Sequence, residues 1–83
     1  MSALETYARE VLNTRGIEHT HALQSLRHYI NLTDTDTLIR YVNMITDIDL
    51  LRAVQEAGAR GNIYPALISR MNLLMKEQTE AKK

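Results

Sequence analysis

One proline, Pro65, and three glycines, Gly16, Gly58 and Gly61, are all that interrupt a chain of 83 residues. Breakers this sparse leave long stretches free to run at helical period, and no segment alternates apolar and polar side chains at period two over a useful length. The chain is therefore expected to be all-α, a compact bundle of about five short helices over 3–14, 18–31, 34–45, 47–58 and 63–77.

Each helix has a start signal or an apolar stripe. Ser2-Ala3-Leu4-Glu5 has the form of a capping box, and Leu4, Tyr7, Ala8, Val11 and Leu12 follow within an arc of roughly 140°, with Gly16 as the expected stop. The second segment carries Ala22, Leu23, Leu26, Tyr29 and Ile30 on one stripe, opposite Gln24, Arg27 and Asn31. Two echoes then open helices 3 and 4: Thr33-Asp34-Thr35-Asp36 and Thr46-Asp47-Ile48-Asp49, with threonine as the expected N-cap and the aspartates near the positive end of the dipole. In helix 3, Leu38, Ile39, Tyr41, Val42, Met44 and Ile45 cover roughly 220° of arc, which predicts a central helix packed on both sides. Asp36 and Arg40 remain on its outward strip as an exposed ion pair. Helix 5 starts after the Ala59-Arg60-Gly61-Asn62 turn and tolerates Pro65 in its first turn, and residues 78–83 are expected to fray.

Composition narrows the class further. Apolar residues make up 45% of the chain, and ten basic residues balance ten acidic ones. That describes one globular domain over 1–83, neither disordered nor strongly drawn to nucleic acid. With no cysteine, stability comes from packing alone and thiolate chemistry is excluded. No apolar run approaches the roughly 18 residues that span a bilayer, and the amino terminus lacks a basic secretory n-region, so a cytoplasmic location is expected. The spacing of Asp34, Ile39 and Arg40 resembles that of helical-hairpin repeats of the HEAT type. The second copy departs from it with Thr46 at the aspartate position before Arg52, and the offset between copies is too short for a two-helix repeat. The resemblance therefore implies no functional residue.

Three histidines, His19, His21 and His28, raise a metal site. On a helix, His21 and His28 share a face but stand about 10.5 Å apart along the axis, while His19 and His21 point apart, so all three are expected to be solvated and no metal is expected. Asp34, Asp36, Asp47 and Asp49 lack a calcium-loop glycine and glutamate and are expected to serve helix ends. No nucleophile elbow, phosphate-cradling loop or paired acid and base stands out, so no enzyme activity and no cofactor are expected. Two functional readings remain. The favoured one is a small accessory protein, of the kind compact phage or plasmid genomes carry, that acts by protein association as a homodimer or adaptor. Its expected surface is a strip on helix 5 formed by Ala66, Arg70, Leu73 and Glu77, in which Arg70 of one chain faces Glu77 of another. The alternative is DNA binding by helices 4 and 5 as a helix-turn-helix-like pair, with Arg60, Arg70 and Lys76 on phosphates.

Overall fold

The computed structural model describes residues 2–59 and 61–81, with side chains placed as far as residue 79. Five helices follow one another with short connections: α1 (Ala3–Asn13), α2 (Gly16–Leu32), α3 (Thr35–Met44), α4 (Ile48–Gly58) and α5 (Tyr64–Ala81). There is no strand among the described residues, and the all-α bundle expected from the periodicity is the fold.

Capping decides where the helices begin, and in two places it differs from the sequence reading. Ser2 caps α1 as expected, its hydroxyl accepting the Glu5 amide at 3.3 Å. At α3 and α4 the cap is the aspartate and not the threonine before it. Asp34 accepts the Thr37 amide at 3.0 Å, and Asp47 accepts the Asp49 amide at 2.9 Å. Thr33 instead closes α2, its hydroxyl donating to the Tyr29 carbonyl at 2.8 Å. Both residue types can cap, and the chain uses the stronger acceptor, a carboxylate in the field of the helix N-terminus. Gly16 is likewise not the stop of α1. Thr14 and Arg15 are extended, and Gly16, with φ of 63°, is the first residue of α2.

Three helix C-termini receive a basic side chain from another helix. Arg27 of α2 donates through Nε to the Ala57 carbonyl of α4 at 2.8 Å. Arg70 of α5 donates through Nε to the Ile45 carbonyl at the end of α3 at 2.9 Å. His19 of α2 sets Nδ1 3.0 Å from the Val11 carbonyl of α1. Carbonyls at a helix end lack a backbone amide partner in their own helix, although Val11 also accepts the Thr14 hydroxyl at 3.3 Å, and they carry the negative end of the dipole, so a cationic donor both satisfies and neutralises them. Gly58, at φ of 99°, turns the chain out of α4 just where the Arg27 guanidinium arrives, a backbone conformation that L side chains rarely adopt.

The centre of the bundle is α4, not α3. Leu50, Leu51, Ala53, Val54 and Ala57 of α4 are buried, and the helix packs against α1 and α2 on one side and α5 on the other. Two of those five residues are alanines, which let neighbouring backbones approach closely enough for a helix to be enclosed. In α3 only Leu38 and Val42 are buried, joined by Ile45 at its end, while Ile39 and Tyr41 are half-buried and Met44 is 60% exposed. The wide apolar arc of α3 is thus covered on one side only, by α5 and a few contacts with α1. The core comprises Leu4, Ala8 and Val11 of α1, Ala22, Leu26 and Ile30 of α2, and Ile63, Leu67, Met71 and Leu74 of the α5 segment, together with the residues of α3 and α4. Tyr7 of α1 stacks on Tyr29 of α2, with ring centroids 4.9 Å apart, and seals one seam.

Candidate association surface

With the core assigned, the outward faces of α1, α3 and α4 are charged, as in the exposed Arg9 and Glu10 of α1, Asp36 and Arg40 of α3, and Asp49, Arg52 and Glu56 of α4. The expected Asp36–Arg40 pair does not close; among the described residues the one ion pair within 4.0 Å joins His19 to Glu56 at 3.4 Å. The two longest helices, α2 and α5, each carry apolar side chains turned away from the core, as Met44 does on α3, and on α2 they are the most exposed.

On α2 the core stripe is Ala22, Leu26 and Ile30, flanked by Leu23 and Tyr29. The opposite side presents Ile17, His21, Gln24, Ser25, His28 and Leu32, all exposed, within an arc of about 100°. Ile17 and Leu32 are each 73% exposed, the most exposed of the large apolar side chains among the described residues. No charged residue lies on this face. Glu18 stands at one margin, and Arg27 at the other is turned to the Ala57 carbonyl.

On α5, Leu73 is 45% exposed, which agrees with its expected place outside the core stripe. The rest of the strip is less available. Ala66 is half-buried, Arg70 is half-buried with its Nε held by α3, and only Glu77 joins Leu73 in the open. Tyr64 and Met75, expected within the core stripe, are both exposed: Met75 because the core ends at Leu74 and the last turns of α5 extend past it, and Tyr64 at the other end, in the first turn. Gln78 to Ala81, expected in a frayed tail, belong to α5. For the nucleic-acid reading, Lys76 is exposed beside Ser69 and Asn72, Arg70 serves α3, and Arg60 lies outside the described residues.

His19 departs from the expected solvated state. Its ring is half-buried between Val11 of α1 and Glu56 of α4, with Nε2 3.4 Å from the Glu56 carboxylate. Both neighbours are acceptors, so both ring nitrogens must carry hydrogen for both bonds to form, which is the imidazolium. The Glu56 carboxylate, and after it the Val11 carbonyl, accordingly raise the pKa of His19 above its ordinary 6.5. His21 and His28 are exposed, as expected. Among the described residues no three histidine, aspartate or glutamate side chains converge as a metal site would need.

Two grooves remain. One, of about 340 Å³, lies between α1 and α2 beside the uncharged face, lined by Tyr7, Glu10, Thr14, Glu18, His21, Ala22 and Ser25. The other, of about 450 Å³, runs between the start of α4 and Gln78 of α5, and its Asp47 is already committed as a cap. No helix among the described residues is long and apolar enough to cross a membrane. Comparison with protein-family models, with curated proteins and with solved structures finds no match.

Proposed function

We propose that this is a non-enzymatic helical protein that works by protein association, in the cytoplasm, and that the outer face of α2 is where it associates. One observation supports this reading above the others. Along sixteen residues of α2, from Ile17 to Leu32, a strip about 100° wide carries no Asp, Glu, Lys or Arg and ends in two leucine-sized side chains standing in solvent. Scattered exposed leucines are ordinary on any surface, which is how Leu73 reads once Arg70 is turned inward. An aligned uncharged face is different, because interface centres are depleted in charge and a docked partner there strands no ion. The DNA alternative has weaker support: the outward strip of α5 offers one described cation, Lys76, and a chain of zero net charge releases few counterions on binding.

The test compares wild type with the double variant Ile17→Lys/Leu32→Lys. Because both side chains are in solvent, the variant keeps its helical circular dichroism and its melting temperature. Light scattering across a concentration series should show wild-type mass rising above the monomer and the variant remaining monomeric. Monomeric wild type at hundreds of micromolar, together with salt-dependent binding to a random DNA duplex by fluorescence anisotropy, would replace this reading with the DNA one.

A further inference from the structure

We propose that His19 is a pH-sensitive latch on the corner between α1 and α2: its imidazolium ties the first turn of α2 to Val11 of α1 and Glu56 of α4, and loss of the ring proton lets that turn open more readily while the rest of the bundle stays folded. The proposal does not depend on the association reading. It starts from how little else holds the corner. From Leu12 to His21 no side chain is buried, and Thr14 and His19 alone are half-buried. The last core residue before this stretch is Val11, and the first after it is Ala22. Arg15, at the N-cap of α2, provides no side-chain cap, and Gly16, at φ of 63°, has nothing within 4 Å of where a Cβ would stand. The hydroxyls of Thr14 and Thr20 donate to carbonyls of Glu10, Val11 and Gly16, all at the end of α1 or within the corner itself. Among the described residues, the contact of His19 with Glu56 is the one hydrogen bond that joins this corner to α4. A segment with so few buried apolar contacts opens at a lower free energy than the core does.

Two acceptors face one ring. Nδ1 stands 3.0 Å from the Val11 carbonyl and Nε2 3.4 Å from the Glu56 carboxylate, so the imidazolium donates to both. A neutral ring has a single N–H. Kept on Nδ1, where the contact is shorter, it leaves the Nε2 lone pair against a carboxylate, and the tie to α4 gives way. Moved to Nε2, it leaves the Val11 carbonyl without this donor. The groups around the ring decide which state holds. Among the described residues Glu56 of α4 is the one charged group acting on it, and α1 contributes the backbone of Val11 and Thr14. Within α2, Glu18 lines the groove with Glu10 and His21, which His19 does not line, and Arg15, one turn before the ring, is exposed. The first turn of α2 is the positive end of that helix and disfavours a cation, so Glu56 and the negative end of α1 are what keep the proton on the ring. The latch is closed below the ordinary imidazole range and opens as pH rises through the higher folded value.

Hydrogen exchange read by mass spectrometry, at low micromolar protein, measures this opening segment by segment. After correction for the intrinsic pH dependence of exchange, peptides over residues 12–21 should be at least about tenfold less protected than those over Leu26 and Val54, which marks a local opening. Their protection should fall about two- to fivefold from about pH 5.5 to 8.5, the scale of a partly exposed charge pair. The fall should vanish in His19→Gln, become shallower in Glu56→Gln, and persist in His21→Gln/His28→Gln, where His19 is the one imidazole left. Glu56 is exposed, so its variant keeps the fold and carries the test even if His19→Gln does not. Corner protection equal to that of the core at every pH would show that the corner opens only with the whole bundle and would overturn the proposal. So would protection that is level across the pH range, a fall that survives in His19→Gln, or one that disappears with His21 and His28.

Discussion

At the scale of single residues, His19 links three helices. The ring sits on α2, its Nδ1 satisfies the end of α1, and its Nε2 reaches Glu56 on α4. The Glu56 contact, then the Val11 carbonyl, raise its pKa, so the folded state binds this proton more tightly than the unfolded chain does. The stability it contributes is complete below the ordinary imidazole value of about 6.5 and is lost as pH rises through the higher folded value. Thermal midpoints measured from about pH 5.5 to 8.5 should fall across that window in wild type, and the fall should be shallower in His19→Gln and in Glu56→Gln. Equal slopes in all three would show that the imidazolium is not the species bridging α1 and α4. Asp34 acts in the opposite direction. The Thr37 hydroxyl, then the Thr37 amide, lower its pKa, so its contribution is present above the ordinary carboxylate range and disappears as pH falls through the lower folded value.

Helix boundaries and burial are matters of whole elements. With Asp47 and not Thr46 accepting the first free amide of α4, Asp47→Ala should cost about 0.5 to 2 kcal/mol, while Thr46→Ala, exposed and outside the cap, should stay within about 0.5 kcal/mol of wild type. Urea midpoints of the two variants check the order; the reverse order would move the boundary of α4 back by one residue. The position of α4 at the centre predicts a second contrast. Leu51 is fully buried on α4, the helix packed against α1, α2 and α5, so Leu51→Ala should cost about 2 to 5 kcal/mol, a large part of the roughly 4 to 12 kcal/mol that holds a chain of this length. Met44→Ala on α3, with its side chain mostly in solvent, should change stability by less than about 0.5 kcal/mol. Similar costs at the two sites, measured by urea unfolding, would return α3 to the centre.

For the molecule as a whole, the radius of gyration of 12.7 Å and extents of 41 × 28 × 22 Å describe a bundle drawn out along one axis. A compact chain of this length is expected near 12 Å, and the excess matches α5, whose last buried side chain is Leu74 although the helix runs on to Ala81. The core therefore owes little to the end of the chain. A protein ending at Glu77 should melt within about 0.5 kcal/mol of the full chain, by urea titration followed with circular dichroism. A larger loss would mean that Gln78, at the edge of the groove by Arg52, holds α5 against α4.

Five helices and their approximate limits were legible in the sequence, because periodicity and scarce breakers are local properties that each segment carries by itself. The core stripe of α2 was legible for the same reason, as was the exposure of Leu73. Three things were decided only by tertiary structure. Threonine and aspartate both cap, so which one does so at α3 and α4 depends on the path of the chain into each helix. The breadth of an apolar arc records how much a helix could bury, not how many neighbours reach it; α3 has the broad arc and lies to one side, while α4, with alanines at 53 and 57, is enclosed. Finally, the partners of Arg27, Arg70 and His19 are carbonyls 30, 25 and 8 residues away in the chain. No local pattern encodes such pairings, since they exist only once packing has brought a helix end within reach of a side chain on another helix, and that packing is what turned Arg70 inward and left the uncharged face of α2 open.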